Sequence, residues 1–289
     1  MIAKVILPIA LMTVMFGIGL GLRWKDFSQL SGRWQLLVSG LSTQLLMLPF
    51  LALMVGWVFA LPAEYLVGLL IVSLAPGGAT SNMVTLLARG AIPLSVVLTF
   101  MTGLITPVTL PLVTAFSMEY MSLPGFADSF PTVPVMLKLF MAGALPVIFG
   151  VLTAYKWPVV ATKIYRIVKP ASVAFMLFAV ISVVLSANQW GEVLQVIWLP
   201  LLTMVVLAIA TGVLVSLIAG ASSAERVTLG IEIGFQNAAI AMMAGMILQN
   251  DVVVLVALSY GVLMNLPAAL MILWRNPQWI GLRQQKVVG

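Results

Sequence analysis

LLIVSLAPGGATSNMVTLLARG, residues 69–90, is an apolar run broken at its centre by Pro76-Gly77-Gly78 and resumed with small polar residues. Proline lacks the amide proton a helix needs and clashes with the preceding turn, so a helix entering this stretch stops and restarts. About 20 mostly apolar residues cross a bilayer, and the run therefore reads as one membrane span with an unwound middle. A second stretch, ERVTLGIEIGFQNAAIAMMAG (225–245), is interrupted in a similar way by Glu232, Gln236 and Asn237 at mid-depth.

The rest of the chain has the composition such spans demand. Hydrophobic residues fill 62% of 289 positions and charged residues 8%, against about a quarter charged in soluble domains. Mean hydropathy is +1.17. Apolar runs divided by charge, proline or glycine predict nine spans, near 5–22, 34–59, 65–88, 92–116, 132–155, 167–187, 193–220, 226–249 and 252–274. They are longer than barrel strands and do not alternate. The first run is longer than a signal-peptide core and is expected to be a retained helix. The fold class is thus an all-α polytopic membrane protein, one transmembrane unit over 1–289 with no room for a soluble domain.

Charge sets the orientation. Twelve of the fourteen basic residues fall in alternate loops: Arg23, Lys25, Arg33, Arg89, Lys156, Lys163, Arg166, Lys169, Arg226, Arg275, Arg283 and Lys286. Lys4 and Lys138 lie on the other side, with Glu64, Glu119, Asp128, Glu192 and Asp251. Positive loops stay in the cytoplasm, which puts the N-terminus outside and the C-terminus inside a bacterial inner membrane. The same bias accounts for the net charge of +6 without a nucleic-acid partner. The chain has no cysteine and no histidine, which removes disulfides, thiolate chemistry, most zinc sites and histidine-based triads.

The two interrupted runs are the third and eighth spans. Five apart, they cross in opposite directions, so spans one to four match six to nine as an inverted repeat around span five. Broken helices at corresponding positions of inverted halves point to a transporter binding site; the competing reading is a kink plus interhelical polar contacts.

Glu232 is the one acid predicted deep inside a span, and no Lys, Arg or His lies at comparable depth. A buried carboxylate is costly unless a proton, a base or a cation neutralises it. Sodium takes several oxygen ligands, and the spans offer them: Ser81 and Asn82 past the first break, Ser95 and Thr99 one helical turn apart, Gln44 in span two, and Gln236 beside Glu232. Unwound backbone at Ile233 and Phe235 adds carbonyls. The restarting half-helices present free N–H groups near Gly78, Ala79, Thr80 and Asn237, favouring an anion at the midplane. Asn265 adds an uncharged donor and acceptor. Trp24, Trp57, Tyr155, Trp157, Trp190 and Trp274 read as interfacial anchors, and the methionines as packing.

At APGGATSNMVTLLARGAIPLSVVLT (75–99) and IEIGFQNAAIA (231–241), supported by Gln44 and Asn265, the sequence resembles the bile acid:sodium symporter family over nearly its whole length. The resemblance implies a core domain with two crossing broken helices, near 34–116 and 193–274, and a panel domain, near 1–33 and 117–192, that rocks against it. It implies the nine-span form and two sodium ions. One would use Ser81, Asn82, Ser95, Thr99 and Glu232. The other would use Gln44, Glu232 and Gln236 with backbone oxygens of Ile233 and Phe235. Substrate would lie near Ala79, Thr80, Asn237 and Asn265. Position 264, a histidine in some relatives, is Met264, so small carboxylates such as pantoate or 2-keto and 2-hydroxy acids stand beside bile acids as candidate cargo.

The expected function is sodium-coupled import of a small organic anion by a monomer through alternating access. The alternative is a proton-coupled or sodium-independent permease or exporter of the same fold. An intramembrane enzyme would need a Ser/His dyad, an aspartate-rich metal motif or paired carboxylates, which the spans lack. A sensor using a transporter fold is a third reading, which a flux assay separates.

Overall fold

The residues that divide the apolar runs also divide the helices. The structure is a computed structural model that describes residues 2–121, 130–186 and 189–280. Asp128, Arg283 and Lys286, which enter the charge bias, lie outside the described residues. Helix α1 (Ile2–Gly21) is followed by the short α2 (Trp24–Ser28). Next, α3 (Trp34–Ser42) passes through a π-helical turn at Thr43–Met47 into α4 (Leu48–Val58). The first broken span is α5 (Ala63–Leu74) and α6 (Ala79–Leu87), followed by the long α7 (Ile92–Tyr120). Then α8 (Thr132–Leu139) runs through a second π turn, Phe140–Ala144, into α9 (Leu145–Lys156), and α10 (Pro158–Ser186) follows. The C-terminal part contains α11 (Trp190–Ile218), the second broken span α12 (Ser223–Gly234) and α13 (Ala238–Ile247), and α14 (Asp251–Leu263) with α15 (Asn265–Arg275). No strand occurs among the described residues.

Local chemistry explains most of these boundaries. Both π turns sit two residues before a proline, Pro49 and Pro146. A proline cannot donate to the carbonyl four residues back, so the preceding turn widens to reach a later amide. Ser222 and Glu225 form a reciprocal cap at the start of α12, with Ser222 N donating to Glu225 Oε2 at 2.7 Å and Glu225 N to Ser222 Oγ at 3.4 Å. Asn250 caps α14 by accepting from Val253 N at 3.0 Å.

Among the described residues, six continuous stretches are long and apolar enough to cross a bilayer: 34–58, 92–120, 132–156, 190–218, 223–247 and 251–275. The α5–α6 pair, bent by 64°, makes a seventh if counted as one span. Helix α1 carries a shorter apolar run, Ile6–Gly21, and α10 falls outside this set.

Packing sorts the helices. Helix α1 lies against α9 and α10, while α4, α5, α7, α11, α12 and α14 pack on one another; α13 touches α1 and α8. The α1–α9 contact runs through glycine: a Cβ at Gly150 would lie 2.8 Å from Leu20 N and against the Phe16 carbonyl. Small residues let helix backbones approach where lipid supplies no hydrophobic drive. Gly150→Ala is therefore expected to part these helices and cost about 1–3 kcal/mol, read as a lower melting temperature in detergent; an unchanged melting temperature would refute the contact.

Side chains anchor the far ends of both broken spans. Arg275 donates to the Ala88 carbonyl (3.1 Å), the Arg89 carbonyl (3.4 Å) and Ser223 Oγ (3.1 Å), and Asn276 to the Leu87 carbonyl (2.8 Å). These bonds satisfy carbonyls that the end of α6 leaves open. Arg33 grips Glu225 with two nitrogens, Nε at 2.8 Å from Oε1 and Nη2 on Oε2, which ties α12 to the start of α3.

Candidate functional site

The two unwound segments, 75–78 and 235–237, meet. Asn237 N donates to the Pro76 carbonyl at 2.8 Å, a backbone bond between one break and the other. Asn237 also caps α13, its Oδ1 accepting from Ile240 N at 3.3 Å. Orphan carbonyls at the preceding helix ends find side chains: Tyr260 Oη donates to Gly234 at 2.9 Å and Thr106 Oγ1 to Leu74 at 3.3 Å. Tyr260 is fully buried and went unmarked in the sequence, where a tyrosine in an apolar run looks like any core aromatic.

Glu232 is wholly buried on α12. Thr99 Oγ1 donates to its Oε2 at 3.0 Å, and Ser95 Oγ touches its Oε1. Ser95 Oγ also lies 2.6 Å from Asn82 Oδ1. Ser81, buried on α6, donates to the Gly78 carbonyl at 2.8 Å. Gly77 closes the ring: a Cβ there would sit 2.5 Å from Glu232 Oε2, 3.1 Å from Thr99 Oγ1 and 3.4 Å from Ser81 Oγ. The single hydroxyl proton of Ser95 cannot serve both the carboxylate and Asn82. Acceptors outnumber donors here, around one carboxylate with no basic partner among the described residues. Such an oxygen set suits a hard monovalent cation. Among the described residues no group of three His, Cys, Asp or Glu comes together.

Gln44, Gln236 and Ile233 are also together but tied differently. Gln44 Nε2 donates to Gln236 Oε1 at 3.1 Å and towards the Ala75 carbonyl at 3.4 Å, and Gln236 Nε2 donates to the Ile233 carbonyl at 2.7 Å. Gln44 lies in the first π turn, the wider turn setting its amide against the break. Phe235 is buried in the second unwound segment.

A cavity of about 620 Å³ opens beside the crossing. Its polar wall is made of Gly78, Ala79, Thr80, Ser81, Asn82, Gln236 and Asn237, where α6 and α13 restart. Its other walls are apolar or aromatic, including Val14 and Ile18 of α1, Tyr165 and Leu177 of α10, and Met242 and Met264. Ala79, Thr80 and Asn237 are thus brought together. Asn265 stands apart: exposed at the start of α15, it donates to the Gly261 and Val262 carbonyls at 2.7 and 3.1 Å. The walls from α1 and α10 carried no sequence signal, because apolar side chains facing a cavity and facing lipid read alike. Of the aromatic residues read as anchors, Trp24, Trp57, Tyr155, Trp157 and Trp274 are exposed. Trp190 is partly buried and donates to Ser259 Oγ at 3.2 Å.

The model of the Sodium Bile acid symporter family matches residues 8–190. The chain belongs to that family. It is 27% identical over 270 residues to the uncharacterized sodium-dependent transporter YocS of Bacillus subtilis, covering 91% of this chain and 77% of YocS. It is 27% identical over 273 residues to the probable sodium/metabolite cotransporter BASS2, chloroplastic, of Oryza sativa, covering 91% of this chain and 62% of that protein. A human sodium-dependent organic anion transporter is 25% identical over 227 residues, with 78% and 59% covered. The chain thus spans about three quarters of YocS and less than two thirds of the other two. Membership in the sodium bile acid symporter family makes it a multi-pass membrane protein of the sodium-coupled transporters, with a small organic solute as cargo, and not an enzyme.

Proposed function

We propose that this protein imports a small organic anion together with two sodium ions by alternating access, as a monomer with nine spans in a bacterial inner membrane. Helices α1 and α10 complete the nine, with the N-terminus outside. The observation that carries the reading is Glu232: a buried carboxylate with no base beside it among the described residues, bonded by Ser95 and Thr99, with Asn82 on Ser95 and the backbone of Gly77 close by. One sodium ion sits there, with Ser81 as a further ligand, and balances the carboxylate. The second sits among Gln44, Gln236, Glu232 and the carbonyls of Ile233 and Phe235, once the Gln236 amide rotates off Ile233.

The anion lies in the cavity against Ala79, Thr80 and Asn237, where two helix N-termini offer amides and positive dipole ends. Asn265 enters that site only if α15 moves relative to α14. The cavity residues Gly21, Leu86 and Tyr165 lie within a few positions of Arg23, Arg89 and Arg166, so this conformation offers the solute site to the basic, cytoplasmic side. Sodium at Glu232 ties α6, α7 and α12 together, which shapes the crossing for the anion. The core helices then shift against the panel, α1 with α8 to α10, and the site changes sides.

The test is thermal unfolding of the purified chain in sodium against potassium at equal ionic strength, with bile acids and small carboxylates added in turn. A ligand at a hundred times its dissociation constant stabilises by about 2.7 kcal/mol if it binds only the folded state. Sodium-specific stabilisation, enlarged by one class of anion, is expected. A proton on Glu232 would also relieve the excess of acceptors, so equal melting in the two salts with a shift on acidification would replace sodium coupling by proton coupling.

A further inference from the structure

Tyr260 is wholly buried on α14, and its hydroxyl donates to the Gly234 carbonyl at 2.9 Å. A buried tyrosine needs a partner for its hydroxyl, and any acceptor would satisfy it. The acceptor it takes is the last carbonyl of α12, at the point where that helix unwinds two residues after Glu232.

A peptide unit is planar, so the Gly234 carbonyl and the Phe235 N–H turn together. Phe235 N donates to the Ile231 carbonyl at 2.8 Å. The plane is therefore held at both ends, from within α12 and from α14. Gly234 cannot hold it alone, because glycine has the widest choice of backbone angles. No larger residue fits in its place: a Cβ at Gly234 would run into Ile209 Cγ1 of α11. Further on, Asn237 N donates to the Pro76 carbonyl at 2.8 Å and fixes the Gln236–Asn237 plane against the other break. The Phe235 carbonyl belongs to the one peptide between these two held planes. The Ile233 carbonyl belongs to the peptide just before them, where Gln236 Nε2 donates to it at 2.7 Å. Leu258 and Gly261, beside Tyr260 on α14, wall the solute cavity, so the helix that holds the plane also borders the cargo.

We propose that Tyr260 is a positioning residue for the second sodium ion: its hydroxyl fixes the Gly234–Phe235 plane and so aims the Ile233 and Phe235 carbonyls at the ion between Gln44 and Gln236. The proposal rests on the reading that a second ion sits there. Without the hydroxyl the Gly234 carbonyl loses its donor from α14, the plane swings about the glycine, and both neighbouring carbonyls lose their aim. The first ion depends on side chains instead, the hydroxyls of Ser95 and Thr99 around Glu232.

The experiment measures equilibrium binding of radioactive sodium to the purified full chain, with melting in potassium as the check of folding. The parent should bind two ions. Tyr260→Phe keeps the ring and removes the hydroxyl. It should weaken one of the two ions about tenfold, the scale of one lost hydrogen bond, and leave the other unchanged. Gln44→Ala withdraws a ligand from the second ion, so adding Tyr260→Phe to it should weaken sodium binding little further, as expected of residues that serve one ion. Should Tyr260→Phe not fold, Tyr260→Met, whose flexible side chain repacks more easily, takes its place with the same expectation. Two ions bound with parent affinities by the folded variant overturn the proposal and leave Tyr260 a core residue. Equal weakening of both ions overturns it too, since the hydroxyl then holds the crossing as a whole. A parent chain that binds one ion removes the second site and this inference together, and one that binds none removes the sodium reading itself.

Discussion

Glu232→Gln abolishes the difference between sodium and potassium in thermal unfolding and abolishes sodium-driven uptake, while the protein folds as before. The amide matches the carboxylate in shape; its one oxygen can accept from Thr99 while its NH2 donates to the Ser95 oxygen, or the reverse. What it loses is the charge. A site of neutral hydroxyls and amides must pay the dehydration of the cation with no compensating attraction, and loss of a charged ligand in a buried site is expected to weaken sodium binding about a hundredfold, or about 2.8 kcal/mol. Stability in potassium should hold or rise, because an unneutralised carboxylate no longer has to be buried. Undiminished sodium stabilisation in Glu232→Gln would remove the proposed function, since no other acid lies wholly buried among the described residues.

Gly77→Ala is the second large effect, and it acts through space rather than charge. The added methyl would stand 2.5 Å from Glu232 Oε2 and 3.1 Å from Thr99 Oγ1. Glu232 must then turn away from Thr99, or the unwound segment must move and take the crossing with it. Overpacking of this kind costs about 1–3 kcal/mol, so a lower melting temperature in potassium is expected. The sodium-specific part should fall further, by about tenfold in affinity, which is about 1.4 kcal/mol. Gly78→Ala is the internal comparison: its Cβ would lie 3.6 Å from Asn237 Nδ2, ordinary contact, and the sodium response should survive. Equal sodium responses in Gly77→Ala and the parent would show that the backbone at Gly77 does not shape the cation site.

The sequence by itself determined where helices break and what chemistry the breaks carry. Pro76-Gly77-Gly78 cannot continue a helix, whatever surrounds it, and α5 does end at Leu74 with α6 restarting at Ala79. A lone carboxylate in an apolar run demands neutralisation in any fold, which is why Glu232 could be singled out without coordinates. The pairing of Ser95 with Thr99 follows from helical spacing, and both reach Glu232.

Tertiary structure decided everything that depends on which way a side chain faces. Val14, Ile18, Tyr165 and Leu177 wall the cavity, yet nothing local distinguishes an apolar residue facing a cavity from one facing lipid. Asn265, at the start of α15, returns its amide to the Gly261 and Val262 carbonyls of α14, three and four residues back. Gln44 reaches the break from a π turn whose cause, Pro49, is local, while its partner Gln236 is supplied by an unwound segment nearly two hundred residues away. Gly77 reads in sequence as half of a helix breaker, and only the approach of Glu232 makes it a wall of the site. Backbone constraints act over a few residues and are written in their order; enclosure is made by distant segments, and it exists once they pack.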